Sequence, residues 1–280
     1  MVCPAPAGNR MVRWPKSVDG YDRSAPNVEK GWDMERDLGV ENDAFGHALL
    51  DFLEGRGGEE LVERSDGHIA LSADAATYFA VPTGHQQLIA DQATGRVLDV
   101  GCGAGRYALY LQERGLEVVG IDVSPLAIEV CRRRGVRDAR VLSLEEVDSS
   151  LGSFNTVLML GHNLGLLGSF HGAKRILTRL GEVVPPGGAL IADTLDPYQT
   201  DDPTHLAYHA ENRAKGRMGG QIQMRVRYKT YKTPWFDYLF LARDELEEIL
   251  EGSGWRMKDL IATDGPSYAV HIQRMADGDA

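Results

Sequence analysis

Residues 97–106 read Val-Leu-Asp-Val-Gly-Cys-Gly-Ala-Gly-Arg, a pattern typical of a buried strand that runs into a glycine-rich turn and a helix. Because glycine has no Cβ, such a turn lets the backbone come close to a ligand. A second apolar strand, residues 117–122, ends at Asp122. A carboxylate at that point can accept hydrogen bonds from a ribose diol. Together the two features predict an adenosine-containing ligand.

The spacing of the glycines distinguishes between two such ligands. A dinucleotide fingerprint has the form G-x-G-x-x-G, whereas Arg106 stands here where its last glycine is expected. The carboxylate of Asp99 is poorly placed for a pyrophosphate, but it suits the cationic amino and sulfonium groups of S-adenosylmethionine (SAM). The pattern favours SAM, and a nicotinamide-dependent dehydrogenase is a distant alternative.

With this motif, residues 96–193 resemble the SAM-binding half of class I methyltransferases, and the resemblance continues at fold level to Gln273. It implies SAM as the cofactor and S-adenosylhomocysteine as the product. It further implies that the three glycines approach the methionine part, that Asp122 binds the ribose and that Val123 packs on the adenine. The predicted cofactor-binding residues are Asp99, Gly101, Cys102, Gly103, Gly105, Asp122, Val123, Ser143, Leu144, Leu160 and Tyr78.

The chain departs from the family's pattern at two places. The family often has an acidic residue near the adenine amino group after the third strand, but Ser143 stands here, so we expect backbone groups around Ser143 and Leu144 to recognise adenine. After the fourth strand, Gly161-His162-Asn163 replaces the Asn-Pro-Pro-Tyr tetrad associated with methylation of amides or nucleobase amines. A small-molecule acceptor is therefore favoured.

Two side chains are candidates for catalysis. Methyl transfer needs a base only when the acceptor must first lose a proton. His162, just beyond the fourth strand, could be that base, and Asp193, at the end of the fifth strand, could bind an acceptor amine or hydroxyl. The alternative for both residues is a structural role in orienting the loops.

The order of apolar strands and amphipathic helices predicts the fold class. Their alternation is the rhythm of a parallel sheet covered on both faces. The fold is therefore predicted to be α/β, a doubly wound, mostly parallel, seven-stranded Rossmann-like sheet with an antiparallel final strand. The predicted strands are residues 96–100, 117–122, 139–142, 156–160, 189–193, 255–262 and 268–273.

Other segments surround this sheet. Residues 1–30 contain four prolines and no sustained period, and they are predicted to form a flexible tail. Residues 31–92 are a cap segment with one helix and a hairpin turning at Asp66-Gly67. The SAM-binding domain, residues 93–276, is interrupted by an insertion at 196–240. Cap and insertion are expected to cover the carboxyl edge of the sheet.

Composition limits the partners and the compartment. The 280 residues include 41 acidic and 30 basic side chains, giving a net charge of −11, so no nucleic-acid substrate is expected. No apolar run is long enough to span a bilayer, so no membrane partner is expected. Cys3, Cys102 and Cys131 fit neither a disulfide framework nor a metal site, which predicts a cytoplasmic protein.

Several other side chains have two interpretations each. His205 and His209 have the spacing of metal ligands on a helix, but no third ligand follows, so no metal is expected. The basic residues at 225, 227, 229 and 232 could favour an anionic acceptor or form a solvated strand face. Residues 235–238 could line the acceptor site or form a core. A methyltransferase for protein or RNA and a noncatalytic SAM-binding protein are the alternative functions.

Overall fold

The computed structural model describes residues 38–72 and 74–276, without the side chains of residues 262–264. The predicted flexible tail at 1–30, the first residues of the predicted cap and the last four residues of the chain lie outside the described residues.

Strands and helices alternate along the described chain. The strands are β1 (Leu61–Arg64), β2 (Ile69–Leu71), β3 (Arg96–Val100), β4 (Glu117–Asp122), β5 (Asp138–Val141), β6 (Thr156–Met159), β7 (Ala189–Leu195), β8 (Gln221–Tyr228), β9 (Tyr231–Lys232), β10 (Phe236–Leu239), β11 (Trp255–Asp264) and β12 (Ser267–Arg274). The α-helices are α1 (Ala44–Leu53), α2 (Ala75–Phe79), α3 (His85–Ala90), α4 (Arg106–Glu113), α5 (Pro125–Arg134), α6 (Phe170–Val183), α7 (Pro203–Ala214) and α8 (Arg243–Leu250). Short 3₁₀ helices include Leu144–Glu146 and Asn163–Leu167.

The main sheet has seven strands in the order β11-β12-β7-β6-β3-β4-β5. The strands from β3 to β7 are parallel, and β12 is antiparallel to β7, with Ala269 opposite Asp193. The predicted α/β fold class is confirmed, and the strand boundaries differ from the predicted ones by two residues at most. The strand order reverses at β3, and open α/β sheets bind ligands at the carboxyl edge beside such a point.

Local sequence features explain where the helices begin and end. Before α5, the Ser124 hydroxyl accepts a hydrogen bond from the Ala127 N–H at 2.9 Å, and Pro125 takes the first helical position. The helix ends at Gly135, whose φ is 98°. Helix α7, which its polar composition did not indicate, begins in the same way with Asp202 as its cap.

A second sheet joins the cap to the insertion. It is antiparallel throughout, with the order β10-β8-β1-β2 and β9 paired with β8. In the register between β1 and β8, Val62 lies opposite Val226. Segments separated by about half of the chain therefore form one continuous surface.

The hydrophobic core lies on both faces of the main sheet. Its largest fully buried side chain is that of Trp255, which is 1% exposed and donates from Nε1 to the carbonyl oxygen of Leu177 at 2.9 Å. Helix α1 packs separately, with Leu49 buried against Ala127 and Val130 of α5. This contact fixes the cap to the main domain. In the described part of the chain, no helix is long and apolar enough to cross a membrane.

Candidate active site

A cavity of about 700 Å³ is bounded by the carboxyl edge of the main sheet and by residues of the second sheet. This volume is within the range of small-molecule sites, roughly 300–1,000 Å³. Most of the predicted site residues meet in its wall, although they come from widely separated parts of the chain. They are Tyr78, Gly101, Cys102, Gly103, Asp122, Val123, Ser143, Leu144, Leu160, His162 and Asp193.

The glycine turn has the backbone conformation that its sequence requires. Gly101 and Gly103 have φ values of 67° and 52°, in the left-handed region that favours glycine. A Cβ at Gly101 would also lie 2.5 Å from Nδ2 of Asn163, whose amide donates to the carbonyl oxygens of Val100 and Gly101 at 3.0 and 2.9 Å. Asn163 therefore holds the turn in place. In the sequence, the only indication that Asn163 holds the glycine turn was its position next to His162.

Cys102 lies within the turn and has a neighbour that its sequence position did not indicate. Its sulfur lies 3.7 Å from the sulfur of Cys131, and both thiols are free and buried. The Cys131 thiol donates to the carbonyl oxygen of Gly103 at 3.1 Å. The two cysteines therefore pack α5 against the turn.

Asp122 is held at the edge of the sheet by the backbone. Its two carboxylate oxygens accept hydrogen bonds from the N–H groups of Gly103 and Ser124, each at 2.9 Å. Burial raises the pKa of Asp122 to about 6, although these hydrogen bonds oppose the shift. Each oxygen of a carboxylate accepts more than one hydrogen bond, so the ribose hydroxyls of an adenosine can still be bound.

Two predicted cofactor-binding residues lie behind the cavity wall. Asp99 is 2% exposed, and burial raises its pKa to about 7 while the N–H of Ala108 opposes the shift. Gly105 precedes α4 with a φ of 79°, and a Cβ there would lie 2.6 Å from Cγ2 of Val136. The structure therefore gives both residues a part in shaping the turn, and their direct contact with a cofactor stays a prediction.

The loop at Ser143 is closed by its own side chains. The Ser143 hydroxyl accepts from the N–H of Glu145, and the Ser143 N–H donates to the Glu146 carboxylate, both at 3.1 Å. Recognition of adenine by the Ser143 N–H would therefore compete with Glu146. The carbonyl oxygens of Ser143 and Leu144 already accept from the N–H groups of Glu146 and Val147 at 3.0 and 3.4 Å, so each has one further acceptor site for the predicted contact.

His162 and Asp193 lie together at one end of the cavity. The backbone N–H of His162 donates to Oδ1 of Asp193 at 2.8 Å, and Nε2 of its ring lies 3.2 Å from the Ser267 hydroxyl. His162 has a φ of 65°, rare for a residue with a side chain. Burial raises the pKa of Asp193, and the nearby His162 opposes this shift. The Tyr238 hydroxyl fixes the same loop by donating to the His162 carbonyl oxygen at 2.7 Å.

The two faces of the second sheet differ in polarity. The face toward the cavity is largely apolar, and its lining residues include Val62, Ile222, Met224, Val226, Phe236 and Tyr238. On the other face, the guanidinium groups of Arg225 and Arg227 pair with Glu63 at 2.9 and 3.1 Å, and Arg225 also lies over the ring of Trp235. Glu63 therefore offsets one of these two positive charges, and Lys229 of the same predicted cationic set pairs with Asp51. Neither arginine lines the cavity.

The two histidines of α7 lie outside the cavity. His205 lies within hydrogen-bonding distance of the Thr200 hydroxyl, at 3.3 Å, and His209 is buried with its ring edge-on to Tyr198. Burial lowers the pKa of His209 to about 4. Among the residues that the structure describes, no group of three or more His, Cys, Asp or Glu could hold a metal ion.

Glu60 is a polar member of the cavity wall that the sequence did not single out. It is 3% exposed, and its Oε1 accepts a hydrogen bond from the Tyr78 hydroxyl at 3.0 Å. Its Oε2 is buried and has no hydrogen-bond partner among the described residues. Burial raises the pKa of Glu60 to about 7, and the hydroxyls of Ser72 and Tyr78 oppose the shift. Side chains alternate between the two faces of a strand, and this pattern, continued from β1 to the residue before it, places Glu60 on the same side as Val62. That alternation is the feature of the sequence that could have identified Glu60.

The raised pKa of Glu60 predicts a pH-dependent stability. A carboxyl that holds its proton more tightly when folded stabilises the protein below its unfolded pKa of about 4.5, and this stabilisation is lost as the pH rises through about 7. Relative to wild type, the free energy of unfolding of Glu60→Gln should therefore increase by roughly 2 to 3 kcal/mol between about pH 5 and pH 8. Urea denaturation of both proteins measures this difference. A difference that does not change with pH would contradict the assignment.

Comparison with known proteins agrees with this architecture. Residues 97–188 match a family model described as a methyltransferase domain. A SAM-dependent methyltransferase from Bacteroides fragilis, solved in complex with S-adenosyl-L-homocysteine, is 27% identical with a TM-score of 0.74, over 85% of this chain and 98% of that chain. The CcbJ methyltransferase from Streptomyces caelestis is 15% identical with a TM-score of 0.53, over 71% and 92% of the two chains, and shows the likeness of fold alone.

Curated relatives match a shorter part of the chain. The ubiquinone biosynthesis O-methyltransferase of Methylocella silvestris is 35% identical over 109 residues, which are 36% of this chain and 40% of that protein. The O-antigen chain terminator bifunctional methyltransferase/kinase WbdD of Escherichia coli is 33% identical over 41% of this chain and 19% of that protein. The chain thus spans less than half of the length of these relatives.

The sheet, its glycine turn and the carboxylate at the end of β4 define a Rossmann-like protein that binds an adenosine ligand. With the matched domain and the solved relative, they identify residues 97–188 as a class I SAM-dependent methyltransferase domain, with SAM as its cofactor.

Proposed function

We propose that this protein transfers the methyl group of SAM to a small-molecule acceptor and releases S-adenosylhomocysteine. The supporting observation is the single cavity that extends from the glycine turn to the second sheet. Because residues of that sheet also line the cavity, the acceptor has to fit within a mostly apolar space of about 700 Å³ that it shares with the cofactor. The similarity to ubiquinone biosynthesis O-methyltransferases supports an oxygen as the methylated atom.

The residues around the cavity fit SAM. A cationic cofactor suits a wall that contains more carboxylates than guanidinium groups. Because Gly103 has no Cβ, the space between the turn and the Phe45 ring stays open; a Cβ there would lie 3.5 Å from that ring. We propose that Asp122 binds the ribose and that Gly101 and Gly103 lie along the methionine part. When bound, SAM supplies an activated methyl group on its sulfonium.

The proposed role of the protein in the reaction is to position the acceptor and exclude water. Alignment of the reacting atoms can supply much of the rate acceleration in a displacement of this kind. We propose that the His162 ring accepts the proton of an acceptor hydroxyl and that Asp193 keeps the loop in position through the His162 N–H. The Tyr238 hydrogen bond to the same loop couples this end of the cavity to the second sheet.

Isothermal titration calorimetry with SAM, S-adenosylhomocysteine and NADH tests which cofactor the protein binds. We expect binding of both sulfur compounds and no heat from NADH. A screen of small phenols, alcohols and amines that detects S-adenosylhomocysteine then tests turnover. Binding without turnover on small molecules, but with turnover on protein or RNA, would overturn the small-molecule assignment, and failure to bind SAM would overturn the whole proposal.

A further inference from the structure

Glu60 places one carboxyl group in the otherwise apolar inner face of the second sheet. Along β1 the side chains alternate, so that Glu60 and Val62 line the cavity while Glu63 points to the opposite face and pairs with Arg225. The Tyr78 hydroxyl donates to Oε1 of Glu60, and the Ser72 hydroxyl is near enough to the carboxyl to oppose the rise in its pKa. Oε2 of Glu60 is buried and makes no hydrogen bond in the described part of the chain. A buried acceptor without a donor is unfavourable, and a ligand that supplies a donor would remove this cost.

The surroundings of Glu60 favour a cation as that ligand. Two guanidinium groups contribute to the cavity wall, and both have partners there: Arg106 donates to the side-chain oxygen of Gln86, and Arg175 to Glu145. The carboxyl groups in the wall outnumber them. They belong to Asp43, Glu60, Asp122, Glu145, Asp193 and Asp237. The wall therefore has an excess of negative charge, which attracts cations.

Aromatic rings share the cavity wall with Glu60. The ring of Tyr78, whose hydroxyl binds Glu60, packs edge-on against Phe45 at 5.3 Å, and Phe236 and Tyr238 also line the cavity. Aromatic faces and a carboxylate together are a suitable environment for an ammonium group. The edge of the main sheet already supplies the predicted contacts to the ribose and the methionine part of SAM, whereas Glu60 immediately precedes β1 of the second sheet. This location favours the acceptor over the cofactor as the partner of Glu60.

We propose that Glu60 is a specificity-determining residue that binds a protonated amine on the methyl acceptor. This inference rests on the proposed function and specifies its substrate class: a small apolar or aromatic molecule that carries an ammonium group. The ammonium donates to the free oxygen of Glu60, while Tyr78 keeps the other oxygen in place. The atom that receives the methyl group is a separate part of the same molecule, at the end of the cavity formed by His162 and Asp193.

A pair of probes of nearly equal shape tests this assignment. The protein is saturated with S-adenosylhomocysteine and titrated in a calorimeter with benzylammonium chloride and, separately, with benzyl alcohol, at about pH 8, where Glu60 is ionised. We expect benzylammonium to bind at least about tenfold more tightly, because its ammonium forms a charge-assisted ion pair with the Glu60 carboxylate, whereas the donor of benzyl alcohol is neutral. In Glu60→Gln the preference should fall to about twofold or less.

Glu63→Gln is the matched control, because it removes a carboxylate from the outer face of the same strand. It should keep the preference of wild type for benzylammonium. Equal binding of the two probes to wild type, or a preference that survives Glu60→Gln, would overturn the inference while leaving the proposed function intact. A loss of S-adenosylhomocysteine affinity in Glu60→Gln with no change in the probe preference would assign Glu60 to the cofactor instead. Failure of wild type to bind S-adenosylhomocysteine would instead contradict the proposed function.

Discussion

Asp122→Ala should weaken the binding of SAM and of S-adenosylhomocysteine by about 100-fold. The carboxylate is fixed by the N–H groups of Gly103 and Ser124, so the ribose diol that we propose it binds requires no further reorganisation of the side chain. Hydrogen bonds to a charged group contribute about 1.5 to 3 kcal/mol, and two hydroxyls are lost together. Calorimetric titration of the variant with both compounds measures the change.

Two further variants separate this effect from a general loss of structure. Asp122→Asn keeps an acceptor oxygen but not the charge, so its affinity should lie between those of wild type and Asp122→Ala. Asp138→Ala removes a carboxylate at the start of the neighbouring strand β5, where Asp138 pairs with Arg140 at 2.7 Å, and its affinity should change by no more than about twofold. Unchanged affinity in a folded Asp122→Ala protein would show that the cofactor lies elsewhere.

The parts of the fold that the sequence predicted are those determined by local chemistry. Ser124 and Pro125 begin a helix through their own backbone preferences, and the glycine turn adopts the φ values that only glycine reaches easily. Asp122 lies at the end of an apolar strand, so its place at the edge of the sheet follows from the order of elements. The family resemblance then gave the ligand.

The second sheet could not be predicted in the same way. Its central pairing places Glu63 opposite Arg225, more than 160 residues away, and nothing in either strand alone specifies that partner. Strand pairing over such a distance depends on the packing of the whole domain. For this reason the sequence indicated the cap and the insertion as two separate segments. It also left open that the basic residues of β8 bind an anionic acceptor, whereas in the structure Arg225 and Arg227 pair with Glu63 outside the cavity.

The contribution of individual residues to the site also depends on long-range contacts that the local sequence does not specify. Asp99 and Gly105 belong to the motif that identified the site, yet they lie behind the cavity wall, because a motif does not specify which of its side chains face the ligand. Glu60 and Asn163 contribute to the site without belonging to the motif. Their importance comes from contacts across the chain, such as the hydrogen bond from Tyr78 to Glu60.

Gly165→Ala should destabilise the protein by roughly 2 to 4 kcal/mol. Gly165 lies in the 3₁₀ helix after β6, and a Cβ there would overlap the ring of Tyr238 at Cε1, Cδ1 and Cζ. Overpacking of this kind costs about 1 to 3 kcal/mol, and displacement of the ring would also break its hydrogen bond to the His162 carbonyl oxygen, worth about 1 kcal/mol. Urea denaturation measures the free energy of unfolding.

A double-mutant cycle identifies Tyr238 as the cause. If the ring is the obstacle, Tyr238→Ala removes it, and the double variant should lose at least about 1 kcal/mol less than the sum of the two single variants. Gly181→Ala is the control, because a Cβ there, in the last turn of α6, would meet only the flexible side chain of Arg274, with Nε nearest at 3.2 Å. Its stability should change by less than about 1 kcal/mol. Additive losses in the cycle would mean that the contact between this 3₁₀ helix and β10 does not join the His162 loop to the second sheet. The coupling proposed between the two ends of the cavity would then have to be withdrawn.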